Sequence, residues 1–462
     1  MTSLADEIIN ENIDNVAAML RYGTDLNQFD EYGFTPLVEA AIANNFDIVK
    51  LLVINGADVN LPDSTGNTAL HWAAENNNLK IAALLLEHHA NPNAYTFAGQ
   101  PVLVMPFLRN QDTFKKLLLN HGADLSFAQD YINAKLLGHM FELIGTADLV
   151  DPQNNYVEID FEGFYLEFSL GIICDSLVQF QNHFAARKLR RFSTVTQTII
   201  EVMGRAATSI KYQHYKINLE NYVSEIDELI SKDPILIPVG YEGHAITFVR
   251  LGNIIAKCDR REDSRLYDNI VFYQMTQPQN FNKQFIKHVL YEKKSDEFVN
   301  EELPKFLGLK PVTELKIEAQ ISGNCSWANV EASIPTLFFL LLMTTHNDAQ
   351  AMSEYKSLAM NFFHQWSTWN KDRALHFCIQ SFEHGDSIRN VCKAEILAAI
   401  LFQRCRYENF SDRERIQSIL SILFRPAYQH ILDNYIRTYC YESMSEEGKL
   451  FKELLQRYGY IK

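Results

Sequence analysis

The sequence lacks the paired cysteines and histidines that form disulfide frameworks or zinc sites. Its seven cysteines are odd in number and widely spaced, and no CxxC or HxxxH pair occurs among the 462 residues. We therefore expect free thiols in a reducing compartment, with no metal and no other cofactor.

Positive charge and long apolar runs are also scarce. The formal net charge is −15 at pH 7, which argues against nucleic acid or an anionic membrane as a direct partner. The one basic cluster, at 187–191, is typical of a solvated helix face. The most apolar run, at 334–343, is too short to span a bilayer, and the acidic N-terminal segment does not resemble a secretory signal.

The rest of the composition is that of an ordinary globular protein. Hydrophobic residues make up 47% and charged residues 21% of the chain, which is enough apolar material for several cores. A chain of 462 residues exceeds what one core usually serves, so we expect two or three domains.

The first quarter of the chain repeats itself. Related segments begin at Gly33, Gly66 and Gly99, a period of 33 residues, and residues 16–27 align with the last part of each unit. The segments resemble ankyrin repeats, through TPL at 35–37, TALH at 68–71 and GAD at 56–58 and 122–124. The resemblance implies four repeats over 1–128, stacked as an α-solenoid that binds a protein partner and carries no chemistry.

Single residues explain why such repeats fold and where one departs. Thr35 and Thr68 can cap the first helix of their units, and Gly56 permits the left-handed residue that ends a second helix. The fourth unit has Pro101 in place of the threonine and Pro106 in place of the alanine run. We expect a strained or capping repeat there.

One repeat turn carries a modification motif. Leu52, Asp58 and Asn60 have an LxxxxxDVN spacing that resembles the ankyrin target of eukaryotic asparaginyl hydroxylases. The resemblance implies hydroxylation of Asn60 by a host asparaginyl hydroxylase. The alternative is that Asn60 only forms hydrogen bonds across the repeat turn, as any ankyrin stack requires.

After the repeats, the pattern changes to strands. Alternation and aromatic residues predict strands within 155–173, with a turn at Gly163, and a polar-faced helix at 177–203. Three further short strands are predicted, at 235–239, 244–251 and 254–258.

The last two of these strands form a hairpin that brings a histidine close to a carboxylate. Counting back from the tight turn at 252–253 places His244 opposite Arg261, which makes Asp259 its diagonal neighbour on the same face. A carboxylate there can orient the imidazole and stabilise its cation. The alternative is that His244 is an edge-strand histidine and that Asp259 pairs with Arg260 or Arg261.

A cysteine lies at the start of a predicted apolar helix. Gly323 and Asn324 predict a turn, followed by a helix that begins at or just after Cys325. The helix dipole lowers the pKa of a thiol at this position. Gln320 lies five residues upstream, where its side-chain amide can join the Cys325 N–H in an oxyanion hole. The alternative is that Cys325 is one more buried thiol.

These residues, together with Trp327 two positions after Cys325 in the apolar helix, resemble the active site of papain-like cysteine proteases. The order His, Asp, Gln, Cys is permuted relative to papain and is similar to that of ubiquitin-like-protein proteases, the adenovirus protease and bacterial acetyltransferase effectors. The Asp-Cys-Gly of the deSUMOylating enzymes is absent, since Asn324 and Ser326 flank the cysteine. The resemblance implies four roles: nucleophile Cys325, general base and acid His244, orienting group Asp259 and oxyanion donor Gln320. The loop at 259–269 is expected to lie across this site.

The C-terminal part is helical by pattern and ends in a charged segment. Apolar residues at three- and four-residue spacing predict helices throughout 346–462. The last segment resembles the glutamate-rich C-terminal signals of type IV secreted effectors, with glutamates at 442, 446, 447 and 453.

The whole pattern resembles the ankyrin-repeat effectors of Legionella, through INAKLLGHMFELIGTADLV at 132–150, IDFEGFYLEFSLG at 159–171 and the papain-like half-site. The fold class expected is α+β multidomain: an ankyrin α-solenoid at 1–128, a cysteine protease-like α+β domain at 129–345 and a helical region at 346–462. The resemblance implies type IV secretion into a host cell, where the protein acts in the cytosol or nucleus on a host protein.

Two functions remain open from the sequence. The first is a thiol hydrolase or acyltransferase that acts on a host protein recruited by the repeats. The second is an interaction effector without turnover, whose papain-like domain is a pseudo-protease scaffold.

Overall fold

A computed structural model of the chain describes residues 3–213, 218–261, 270–321, 323–346, 351–382, 387–442 and 445–461. The loop expected to lie across the site, at 259–269, falls largely outside these described residues. The described chain consists of an N-terminal helical stack, a five-stranded sheet with helices on both faces and a C-terminal group of helices.

Four consecutive helix pairs form the N-terminal stack. They are α1 Leu4–Ile9 with α2 Ile13–Arg21, α3 Pro36–Ile42 with α4 Phe46–Ile54, α5 Ala69–Glu75 with α6 Leu79–Glu87, and α7 Val104–Leu108 with α8 Asp112–Asn120. Thr35 caps α3, as predicted, because its hydroxyl accepts a hydrogen bond from the Val38 backbone N–H at 3.2 Å. Ala40 and Ala73 are fully buried, which lets α3 and α5 approach closely. In the departing fourth unit the first helix, α7, has five residues and contains Pro106.

An asparagine ladder joins the turns of successive repeats. Asn27, Asn60 and Asn93 each accept a hydrogen bond from a backbone N–H 31 residues further along the chain, at 2.7 to 3.0 Å. Asn60 also donates to the His89 carbonyl at 3.1 Å, and Asn93 to the Gly122 carbonyl at 2.9 Å. Asn60 therefore bridges two repeat turns, which is the role that the sequence offered as the alternative to hydroxylation.

A helix and a two-stranded sheet connect this stack to a pair of long helices. The elements are α9 Leu125–Met140, β1 Thr146–Val150, β2 Tyr156–Asp160, α10 Leu166–Asn182 and α11 Ser193–Ile210, with a 3-10 segment at Phe184–Phe192 between the last two. The strands β1 and β2 are antiparallel. Helix α9 therefore leads directly from the last repeat into the middle of the chain.

Two sequence predictions for this region are corrected. The prediction of strands within 155–173 is correct for its first part, which contains β2. It is wrong for the second part, where α10 begins. Its buried residues Leu170, Ile173, Leu177 and Phe180 recur at three- and four-residue spacing, a helical period that the alternating aromatics obscured. The single helix predicted at 177–203 is also wrong, because the 3-10 segment interrupts it. The basic cluster lies in this segment, with its charged side chains exposed.

The main sheet is antiparallel, with its strands in chain order. They are β3 Ile235–Tyr241, β4 His244–Leu251, β5 Ile254–Cys258, β6 Ile270–Met275 and β7 Leu309–Leu315. The predicted bounds of β4 and β5 agree with the structure, and β3 is two residues longer than predicted. The predicted hairpin register is confirmed, since Leu251 lies opposite Ile254 and Thr247 opposite Cys258. Strands β6 and β7 are absent from the sequence-based prediction.

Helices cover both faces of the main sheet. They are α12 Val223–Ser231, α13 Lys283–Tyr291, α14 Leu303–Leu307 and α15 Cys325–His346. On one face α15 packs against β4 and β5, and Trp327, Phe338 and Val249 belong to the same buried core. On the other face Ile246 and Phe248 share a second core with α12, α13 and α14. Because successive strand residues point to opposite faces, β4 contributes to both cores.

Helix α15 is long and apolar enough to cross a membrane, by length and composition alone. In the described part of the chain, its stretch Cys325–Thr344 is the one with this length and composition, and 89% of its most apolar part is buried inside the fold. The core helix of a globular domain has the same length and composition, so these features are a weak signal for a membrane span.

The C-terminal part of the chain is helical, as predicted. Its helices are α16 Met352–Gln380, α17 Ile388–Arg404, α18 Phe410–Leu423, α19 Gln429–Tyr435 and α20 Glu446–Arg457. Trp366 in α16 is fully buried, and its Nε1 donates to the Ser176 hydroxyl of α10 at 3.1 Å. The C-terminal helices therefore share a core with the middle of the chain.

Replacing Asn93 with alanine tests the asparagine ladder. The variant loses the hydrogen bonds to the Asp124 N–H and the Gly122 carbonyl, each worth about 1 kcal/mol. The start of α9 should then open more often, so we expect roughly tenfold faster hydrogen exchange around residues 122–127. Peptide-resolved mass spectrometry measures this rate.

Asn55→Ala is the matched control for this experiment. Asn55 is an exposed asparagine whose side chain donates to Leu51 of its own helix, at 2.8 Å. Its loss should leave exchange at the next repeat turn unchanged. Equal exchange rates at residues 122–127 in the two variants would show that the ladder does not stabilise the stack.

Candidate active site

Helix α15 begins at Cys325 because the residue before it is anchored. The Asn324 carbonyl accepts a hydrogen bond from the Ala328 N–H at 2.9 Å, which starts the helix. The Asn324 side chain, 2% exposed, accepts from His139 Nδ1 at 2.6 Å and donates to the His139 carbonyl at 3.3 Å. Burial lowers the pKa of His139 to about 4, so the neutral ring carries one proton, on Nδ1. Helix α9 thus fixes the start of α15.

The turn before Cys325 requires a glycine. Gly323 has a φ of +76°, and a Cβ atom there would lie 2.4 Å from Glu162 Cγ. The Gly323 carbonyl accepts from the Gly163 N–H at 3.0 Å. Lys135 Nζ donates to the Glu162 carbonyl at 2.5 Å and to Asp160 Oδ1 at 2.8 Å. The segment after β2, at residues 162–163, therefore contacts the turn at Gly323 and stabilises it.

His244 and Asp259 lie where the hairpin register places them. His244 Nε2 is 3.0 Å from Asp259 Oδ1, and Asp259 is 5% exposed. Asp259 also forms ion pairs with Lys257 and Arg261, each at 3.1 Å. Both sequence interpretations of Asp259 are therefore correct, because it is a partner of His244 and also of an arginine.

The charges around Asp259 determine its protonation and that of His244. Burial favours a neutral carboxyl, but the hydrogen bond from His244 and the charges of Lys257 and Arg261 hold the pKa of Asp259 well below its usual range. Burial likewise opposes the imidazolium, yet the interactions with Asp259 and Cys325 raise the pKa of His244 above its ordinary value. Because Nε2 faces Asp259, Nδ1 is the ring nitrogen left for the thiol.

Cys325 differs from every other thiol of the chain, all seven of which are described. Burial alone would raise its pKa, but the hydrogen bond and charge of His244, with the backbone N–H groups of Ala245 and Ser326, lower the pKa of Cys325. Its shift and that of His244 both favour a thiolate–imidazolium pair. Burial raises the pKa of the other six, to about 11 at Cys174 and Cys258, to about 12 at Cys378, Cys392 and Cys405, and in the same direction at Cys440.

Gln320 lies beside the same strand ends. Its backbone N–H donates to the carbonyl of Arg260 at 2.8 Å. Its side-chain Oε1 is buried and has no hydrogen-bond partner within the described ranges. The predicted role of the side-chain amide nitrogen as an oxyanion donor stays a prediction. The Arg260 guanidinium pairs with Glu142 at 3.0 Å, so Arg261 is the arginine that pairs with Asp259.

Asn329 connects the parts of the site, and the sequence-based prediction missed it. It lies one helical turn after Cys325 and is 1% exposed. Its Nδ2 donates to the Ala245 carbonyl at 2.7 Å, and its Oδ1 accepts from the Arg260 N–H at 2.8 Å. The available signal was a polar residue on the same helical face as the cysteine.

The assembled groups suit the chemistry of an activated thiol. Cys325 interacts with a histidine, and the histidine interacts with a carboxylate. The N–H of Ser326 in the first turn of α15 and the N–H of Ala245 in β4 also interact with the sulfur. In the part of the chain that the structure describes, no group of three His, Cys, Asp or Glu side chains could hold a metal ion.

Comparisons with known proteins match both the repeats and the whole chain. The family model for ankyrin repeats matches in three copies, over residues 4–96 and 54–129. The solved structure of the Legionella effector AnkH is similar over 100% of this chain and 98% of that chain, with 38% sequence identity and a TM-score of 0.82. No curated protein matches the chain.

Alkylation by iodoacetamide tests the state of the Cys325 thiol. Because the thiolate reacts, the rate rises as the pH passes the pKa, which we expect below the ordinary value of about 8.5. In His244→Ala the hydrogen bond and the positive charge are lost, so the midpoint should move upward. We expect alkylation near neutral pH to slow about tenfold or more, measured for each cysteine peptide by mass spectrometry.

Cys174 provides an internal control in the same experiment. It is only partly buried, like Cys325, but burial raises its pKa to about 11. Its rate should stay low near neutral pH and should not respond to His244→Ala. A Cys325 profile that is identical in the wild type and the variant would show that the two side chains do not act together.

Proposed function

Because this chain belongs to the family of the Legionella effector AnkH, which it matches over its full length at 38% identity, we propose that it is a bacterial effector that acts inside a host cell. Its ankyrin repeats bind a host protein in the cytosol or nucleus, and Cys325 performs thiol chemistry on a protein substrate. The proposed domains are the repeats at 1–128, a papain-like unit at 129–345 and a helical region at 346–462 that ends in a type IV secretion signal.

One observation carries the catalytic part of this proposal. Of seven thiols, only the one at the start of α15 has a lowered pKa, and it is the one that interacts with a histidine. That histidine, His244, is held by the buried carboxylate of Asp259 at 3.0 Å. A thiolate stabilised by an imidazolium is the reactive form of papain-like enzymes.

In the first half of the proposed reaction, the Cys325 thiolate attacks an acyl carbon and forms a C–S bond. The carbonyl π electrons move to oxygen and give a tetrahedral oxyanion. When the oxyanion collapses, the C–N bond breaks and the His244 imidazolium transfers its proton to the departing amine. The acyl group is then held as a thioester on Cys325, and His244 is neutral.

The second half restores the site. His244 removes a proton from water or from an amine. The lone pair of that water or amine adds to the thioester carbon. The C–S bond then breaks and returns the thiolate beside the imidazolium. Water gives hydrolysis and an amine gives acyl transfer, so one triad serves both reaction types. Asp259 holds the imidazole ring in the same orientation throughout.

The oxyanion is stabilised by the start of α15 together with Gln320. The first N–H groups of a helix have no acceptor within the helix, and the N-terminal end of the helix dipole favours negative charge. Gln320 supplies the second donor, from its side-chain Nε2. Its backbone position beside Arg260 supports this role, because Arg260 directly follows the orienting residue Asp259.

Asn60 is a proposed site of host modification, separate from the catalytic unit. Its spacing from Leu52 and Asp58 fits the asparaginyl hydroxylase motif. Its side chain accepts from the Asn91 N–H and donates to the His89 carbonyl, so a hydroxylase has to bind it after these two hydrogen bonds open. A slow reaction on the folded stack is the expected consequence.

Comparing acylation with alkylation tests the role of Gln320. Acylation of Cys325 by p-nitrophenyl acetate develops an oxyanion, whereas alkylation by iodoacetamide does not. In Gln320→Ala we expect acylation to slow about 100-fold and alkylation to stay at the wild-type rate. Release of p-nitrophenol measures the first rate, and peptide mass spectrometry measures the second.

Gln284→Ala is the matched control, because Gln284 is an exposed glutamine on α13. It should change neither rate. Cys325→Ser should abolish the stoichiometric burst of p-nitrophenol. Alkylation with a lowered pKa but no acylation in the wild type would contradict the catalytic proposal and support the alternative, an interaction effector with a pseudo-protease scaffold.

A further inference from the structure

We infer that Asn329 is a positioning residue that opens the end of the β4–β5 hairpin and so turns a backbone N–H of the hairpin towards Cys325. The inference rests on the proposed thiol function and adds to it the device that holds the three reacting side chains in place. It follows from the hairpin register, from the hydrogen bonds of the Asn329 amide and from the burial of that amide.

The register defines which backbone groups should bond at this end of the hairpin. A two-residue turn makes Leu251 and Ile254 a hydrogen-bonded pair, and such pairs alternate along an antiparallel ladder. Counting in twos, Ala245 and Arg260 would be another hydrogen-bonded pair. The paired register nevertheless ends two residues before them, at Thr247.

The Asn329 amide occupies the place of the missing pair. The Arg260 N–H, which would donate to the Ala245 carbonyl, donates to Asn329 Oδ1 at 2.8 Å. The Ala245 carbonyl accepts instead from Asn329 Nδ2, at 2.7 Å. The Arg260 carbonyl accepts from the Gln320 N–H at 2.8 Å, and the remaining group, the Ala245 N–H, interacts with the Cys325 sulfur.

This insertion places the helix and both strands relative to one another. Asn329 lies four residues after Cys325, on the same face of α15. Ala245 directly follows His244, and Arg260 directly follows Asp259. A single buried amide is therefore hydrogen-bonded to the residues that follow His244 and Asp259, and it lies one helical turn after Cys325. Only a side chain with both a donor and an acceptor can bridge a carbonyl and an N–H in this way.

Asn329→Leu removes the bridge with little change in side-chain volume. The Arg260 N–H and the Ala245 carbonyl can then bond to each other, as in a regular ladder, which closes the hairpin. The Ala245 N–H is withdrawn from the sulfur and His244 shifts with its strand. We expect the midpoint of the Cys325 alkylation profile to move upward and the rate near neutral pH to fall about tenfold.

Thr247→Val is the matched control. Thr247 is fully buried and its hydroxyl donates to the Asn329 backbone carbonyl at 2.9 Å, so its loss removes a bond between the same strand and the same helix. It leaves the Asn329 amide in place, so the pH profile of Cys325 should stay at that of the wild type. Asn329→Ala removes the donor and the acceptor with a smaller side chain and serves if the leucine variant does not fold.

The outcomes separate the inference from the proposed function. A lowered thiol pKa in the wild type that rises in Asn329→Leu or Asn329→Ala, but not in Thr247→Val, supports the inference. A lowered pKa that stays lowered in the Asn329 variants, or that rises equally in Thr247→Val, overturns the inference alone. An ordinary thiol pKa in the wild type overturns both.

Discussion

The geometry of the site depends on a competition for hydrogen bonds at the end of one hairpin. In a regular antiparallel ladder the N–H and carbonyl groups between the strands bond to each other, so none of these N–H groups is left to donate to a neighbouring sulfur. Between Ala245 and Arg260 the ladder is interrupted by the side chain of Asn329, whose amide satisfies one group from each strand. The local electrostatics follow from this interruption, because the N–H that remains faces Cys325. The carboxylate of Asp259 lies 3.0 Å from the imidazole of His244, where the hairpin register places it.

The same region also depends on contacts from the N-terminal stack. Helix α9 begins at the last repeat, where the Asp124 side chain caps it, and ends beside His139, which anchors the residue before Cys325. Its 16 residues span about 24 Å. A rigid element therefore runs from the surface proposed to bind a host protein to the start of α15. The core is continuous across this junction, so the repeats and the proposed catalytic unit are mechanically connected rather than tethered by a linker.

Features set by short-range patterns could be predicted from the sequence. The repeats follow from a fixed period, the β4–β5 register from a two-residue turn, and the start of α15 from a Gly-Asn turn before an apolar run. The proximity of His244 and Asp259 followed from the register alone. Prediction failed where the outcome depended on tertiary contacts. The first residues of α10 alternate like a strand, and only burial of Leu170 and Ile173 on one face selects a helix. Asn329 could not be assigned, because its partners lie 84 and 69 residues away in the chain.

The contrast among the seven thiols has a consequence for oxidation. Peroxide reacts with thiolates, and six of the cysteines are held in the protonated form by burial. A cell under oxidative stress would therefore convert Cys325 to a sulfenic acid before it altered the rest of the molecule. Such an oxidation leaves the core and the asparagine ladder intact, so the protein would keep the surface of its repeats while losing the thiolate of Cys325. Oxidising conditions around the protein are thereby registered at a single sulfur atom.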